Sequence, residues 1–123
     1  MSTPYVPPGW PPQVRPPDAP GWERTAVAWL LDLCPPEYRG YSVLRRHDVV
    51  LARFALLHVE GGQAAVRRGL SEARAVLRGV ADPDTVDRAI VAWQAEEARL
   101  LAERRAVLLV EEALRGRRFV ARL

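Results

Sequence analysis

Lysine is absent from this chain, and all 18 basic side chains are arginines. The bias runs the length of the sequence beside abundant Ala, Val, Pro and Gly. It therefore points first to GC-rich coding, and only second to guanidinium recognition of carboxylates or phosphates. The single cysteine, Cys34, excludes an intramolecular disulfide. Between Leu33 and Pro35 it reads as a small buried hydrophobe. His47 and His58 are the only histidines, and no HxxxH, ExxH or CxxC spacing exists. Zinc needs about four ligands, so no metal site is expected. Nothing places Cys34 beside either histidine, so no nucleophile–base pair is expected. Gly61-Gly62 lies inside a helical pattern and lacks the lysine of a phosphate-binding loop.

Long apolar runs are also missing. None approaches the ~20 residues of a bilayer span. The segment MSTPYVPPGW has neither the basic region nor the apolar stretch of a secretory signal. The expectation is a cytoplasmic chain with no membrane partner, no cofactor and no enzymatic activity.

What is present is helical periodicity. With 49% hydrophobic and 27% charged residues, the composition is that of a globular domain. Residues 1–20 form a separate arm holding eight of the 11 prolines: Pro4, Pro7, Pro8, Pro11, Pro12, Pro16, Pro17 and Pro20. Proline removes an N–H donor and fixes φ, which predicts an extended, polyproline-like arm. The helical domain, 21–123, begins with a helix over 22–33, where Trp22, Ala26, Trp29, Leu30 and Leu33 share one stripe. Pro35-Pro36 stops it. A connector over 35–47 follows, with one helical turn at Val43–Arg46. A long helix is predicted over 48–79, with Asp48 at its start and Gly79 at its stop. Asp82-Pro83 caps a second long helix over 83–115. A basic tail, 116–123, ends the chain.

The apolar positions Ala52, Leu56, Val59, Val66, Leu70, Ala73 and Leu77 recur in alternating four and three steps, with Gln63 as the one polar interruption. Folding the chain about residues 81–82 sets Leu77 against Val86, Leu70 against Trp93 and Leu56 against Val107. Gly69 then admits the Trp93 indole, and Gly61-Gly62 faces Leu101 and Ala102. The fold class expected is all-α: a long antiparallel, coiled-coil-like helical hairpin, with the first helix packed at its open end and the proline-rich arm beside it.

An aromatic-bearing arm and an apolar surface too wide for two helices point to a protein-interaction module, an adaptor or assembly component. Trp10, Trp22, Trp29, Phe54 and Trp93 are its candidate anchors. Candidate partner-binding residues fall in three groups: Tyr5, Trp10 and Trp22; Arg39, Tyr41, Arg45 and Arg46; and Arg117, Arg118 and Phe119 of the tail. The tail residues Phe119, Val120 and Leu123 also suit docking back onto the fold. A homodimer is the second expectation. The alternative is a transcription-linked regulator, binding nucleic acid or a nucleotide through the arginine clusters. The acidic series Glu96, Glu97, Glu103, Glu111 and Glu112 has arginines within one turn and reads as an ion-paired surface. Ser71, Arg74 and Asp82 have spacings similar to part of the signature of the antiparallel coiled-coil anti-sigma factors that bind cyclic di-GMP. That pattern breaks at Arg67 and Arg78, where it requires Glu and Gln, and no family is assigned from it.

Overall fold

The computed structural model describes residues 5–122 of the chain; Pro4 of the arm and Leu123 of the tail lie outside the described residues. The described chain is mostly helical and contains no strand. Its helices are α1 (Trp22–Leu33), α2 (Ser42–Arg46), α3 (Asp48–Val76) and α4 (Pro83–Leu114), with a 3-10 turn at Pro36–Gly40. α1 ends where Cys34 takes an extended conformation ahead of Pro35. α3 stops at Val76, ahead of Gly79, and the N–H groups of Val80 and Ala81 both return to the Leu77 carbonyl. At the start of α4 the Asp82 carboxylate accepts the Thr85 N–H at 2.8 Å, with Pro83 in the first turn where no donor is needed. α4 closes on Gly116, with Arg117 N–H reaching back to the Glu112 carbonyl.

The arm is not extended, contrary to the sequence expectation. It is a run of four β-turns. Backbone N–H groups of Trp10, Val14, Ala19 and Trp22 donate to the carbonyls of Pro7, Pro11, Pro16 and Ala19 at 3.1–3.2 Å. The second residue of every turn is a proline: Pro8, Pro12, Pro17 and Pro20. Proline's fixed φ is the one that position requires. The third residue has positive φ in three of them, at Gly9, Asp18 and Gly21. Each turn therefore delivers its last residue, Trp10, Val14, Ala19 or Trp22, to the helices. Val14 is 3% exposed, and that burial contributes ~1.5–3 kcal/mol. Polar contacts hold the turns down. Arg15 N–H donates to Thr25 Oγ1 and the Arg15 guanidinium to the Pro20 carbonyl, both at 3.0 Å. Arg105 of α4 donates to the Pro8 carbonyl. A side chain at Gly9 would displace the Arg105 guanidinium arm from 2.7 Å, and the φ of +95° favours glycine there.

The core has two parts. The larger gathers Val14, Trp22, Ala26, Trp29 and Leu30 over Leu51, Ala55, Val107 and Val110. The smaller, Val59, Val66 and Leu100 with Leu70 and Trp93 against it, runs along α3 and α4. By length and composition α3 is also apolar enough to cross a membrane, a property run length alone does not reveal. Its apolar stripe here is the core, and Arg53 and Glu60 reach from it to α4.

α3 and α4 are joined along one edge by arginine–carboxylate pairs. Arg53 meets Glu111 through two hydrogen bonds. Glu60 meets Arg104 at 2.9 Å, Arg67 meets Glu97 at 3.7 Å, and Arg74 meets Asp87 at 3.0 Å. The α3 members stand seven residues apart, so they stack on one edge of the helix. Glu111 is 4% exposed, and its hydrogen bonds from Arg53 hold its carboxyl below the usual glutamate range. Glu97, Arg104 and Glu111 border the apolar seam, each with an opposite charge across the gap.

A lowered folded-state pKa stabilises above the unfolded value, ~4.3 for glutamate, and that stability is lost as pH falls through the folded value. Glu111→Gln should therefore melt earlier at neutral pH, and its melting temperature should fall less between pH 6 and pH 3 than that of the parent chain, read by circular dichroism.

The glycines of α3 divide in two. A methyl at Gly69 would meet the Trp93 ring at 2.8 Å, whereas nothing lies within 4 Å of one at Gly61. Gly61→Ala should stabilise by ~1 kcal/mol, the ordinary helix-propensity gain. Gly69→Ala should lose that gain to overpacking and destabilise by ~1 kcal/mol net. Urea melts of both variants give the two signs.

Candidate interaction surface

The ion pairs leave the two flanks of the α3/α4 pair unlike one another. One flank is stitched. On the other, among the described residues, no ion pair crosses between the helices: Arg99 of α4 pairs with Glu96 and Glu103 of its own helix. The α3 wall of this bare flank is Leu57, His58, Gly61, Gly62 and Ala65. With Leu100 of α4 and the α1 end, Asp32 and Leu33, it encloses a groove of about 720 Å³. Leu57 is 63% exposed although its helix neighbours Ala55 and Leu56 are buried.

The glycines there do not serve helix approach as expected from the sequence. Gly61 faces empty space, and Gly62 lies in ordinary contact with Leu100 rather than against Leu101 and Ala102. A mid-helix glycine costs ~1 kcal/mol relative to alanine. No packing within the chain offsets that cost at Gly61. A bare backbone does admit close approach by another chain.

An aromatic strip continues the groove. Tyr38 stands edge-on to Phe54 at 5.8 Å and to His58 at 6.2 Å, with the Tyr41 ring 6.3 Å away. Tyr41, Val43, Val50, Phe54 and Leu57 are all exposed apolar or aromatic side chains. Val50, Phe54 and Leu57 lie three or four residues apart on α3, so they share one face of that helix.

The residues singled out from the sequence separate into two places. Trp10, Trp22 and Phe119 come together, with Trp10 6.2 Å from Trp22 and 6.1 Å from Phe119. They are not free anchors. Trp22 is buried, Trp10 donates its indole N–H to the Val14 carbonyl at 3.0 Å, and Phe119 packs against the core. The turns of the arm aim Trp10 and Trp22 inward, toward the tail ring of Phe119 and the core. Arg117 pairs with Glu112 and lies over the Phe119 ring at 4.8 Å. Tyr5 and Arg118 line a small hollow with Pro17, Asp18 and Val120. At the other place, Arg39 bonds Asp32 at 2.6 Å at the end of the groove. Tyr41 belongs to the aromatic strip, and Arg45 and Arg46 are exposed on α2.

Cys34 is buried, and burial pushes its thiol up to about 11. It is a packing residue without thiolate character at neutral pH. No group of three or more potential metal ligands occurs among the described residues. No protein-family model, no curated protein and no solved structure matches the chain.

Sequence reasoning missed Leu57, His58, Gly61 and Ala65 as a surface. The signal was present: α3 is uncharged on that face from Phe54 through Ala65, a stretch that a solvated face rarely leaves bare.

Proposed function

We propose that the chain is a non-enzymatic protein-interaction module, an adaptor or assembly component of the cytoplasm, built on α3 and α4 as an antiparallel, coiled-coil-like hairpin. The antiparallel reading is supported by the cross-helix pairs: as the α3 member climbs from Arg53 to Arg74, its α4 partner descends from Glu111 to Asp87. The seven-residue step of the α3 members supports the coiled-coil reading. One flank is closed by charge and the other receives a partner.

The observation that carries this reading is Gly61. It sits in mid-helix at a cost in stability, with nothing of its own chain above it and an exposed Leu57 one turn away. The aromatic strip extends the contact area. Tyr, Phe and Trp dominate contact energies when they are rigidly held, and Tyr38 braces Phe54 edge-on. The arginine-cluster alternative loses ground, because Arg39 and Arg117 are already paired with acids.

A photo-crosslinking amino acid placed at Leu57 should give a discrete adduct with another protein in the native cell. The same group at Arg88, on the exposed surface of α4, should not. No adduct at Leu57, or the same adducts at both positions, refutes the module reading.

A further inference from the structure

We infer that the bare groove seats an amphipathic helix of a partner protein, laid end to end with α1, with an apolar stripe of small and medium side chains and an Arg- or Lys-bearing edge against α4. This deepens the module reading and rests on it.

The first support is continuity with an interface the fold already makes. α1 packs on α3 and α4, and its last residues, Asp32 and Leu33, form one end of the groove. α1 has 12 residues and α3 has 29, so ~18 Å of helix lies along ~44 Å. Beyond Leu33 the same depression continues over Gly61, Gly62 and Ala65 with no helix in it. That remainder is about 26 Å, a little under five turns of helix, and the groove lining from Leu57 to Val66 takes up about 14 Å of it. α1 itself shows the kind of surface that fits, with Ala26 and Leu30 fully buried against the helices.

The second support is charge. On the α4 rim, Glu96 and Glu103 share the single guanidinium of Arg99. At the α1 end, Asp32 is offset by Arg39. The α3 wall carries no carboxylate and no arginine, because Glu60 is turned to Arg104 on the stitched flank. The rim is left with one carboxylate in excess, on the α4 side. A cation on that edge of the incoming helix completes it, whereas two copies of this chain packed groove to groove would set like charges together. Electrostatic complementarity of this kind selects orientation and partner.

The test uses the full chain and two labelled synthetic peptides of about 16 residues, with the same Leu/Ala stripe and either Lys or Glu along one edge. Fluorescence anisotropy should show the Lys peptide binding about tenfold or more tightly than its Glu twin, with the gap closing as salt is added. Ala65→Leu, which fills the groove from an exposed position and should keep the parent's melt, should abolish Lys-peptide binding. The single variant Glu103→Gln, which leaves Glu96 and Arg99 as a neutral pair, should retain binding and erase the preference. The inference is overturned if neither peptide binds, if both bind equally, or if Ala65→Leu leaves binding unchanged. It is also overturned if the chain sediments as a dimer that Ala65→Leu dissociates, since the groove then belongs to a second copy. Crosslinking at Leu57 with failure of the peptide test would sink this inference alone and leave the module reading standing.

Discussion

The arginine–carboxylate edge between α3 and α4 sets the positions of everything else. Its most buried member, Arg53 with Glu111, lies beside the larger core, and three more exposed pairs follow toward the far end. Exposed pairs contribute little individually, ~0.2–1 kcal/mol, so their value lies in register more than in strength. Sliding one helix by seven residues would set Glu60 opposite Glu97 or Glu111 and Arg104 opposite Arg53 or Arg67, like charge against like. In the register they select, Gly69 meets the Trp93 ring and Leu100 packs beside Gly62. The same register leaves the opposite flank without charges that cross it.

Cover at the other end comes from the arm. Four proline turns place one apolar residue each onto the helices, and the arm then behaves as part of the core. This commits Trp22, and part of Trp10, to the packing of the fold itself. It also divides the molecule into a covered half, where α1 and the arm lie on the long helices, and a half where α3 and α4 have only each other. The groove begins where the cover ends.

Much of this was legible in the residues. α1 and the start of α4 follow from the Trp/Leu stripe, Pro35-Pro36 and the Asp82-Pro83 cap, because those signals are local. The Gly69–Trp93 contact follows from pairing by chain position, because the short connection brings those two stretches of α3 and α4 near one another. The arm did not follow. Proline was read for what it forbids, while the Pro-Gly and Pro-Asp steps that specify turns, with an apolar residue after each, were the informative feature. The asymmetry of the flanks was hidden for a different reason. A heptad pattern reports which residues face the partner helix, but charges at its border need three-dimensional positions before the bare side can be told from the stitched one. Gly61 and Gly69 look alike in sequence; the difference lies in what stands opposite.

The central claim is that charge pairing on one edge selects the arrangement of α3 and α4. A charge-swap cycle at Arg53 and Glu111 tests it most directly. Thermal melts at neutral pH should show Arg53→Glu and Glu111→Arg each lowering the melting temperature, and the double swap recovering most of the loss. Single variants that melt like the parent chain, or a double variant no better than the worse single, would contradict the account.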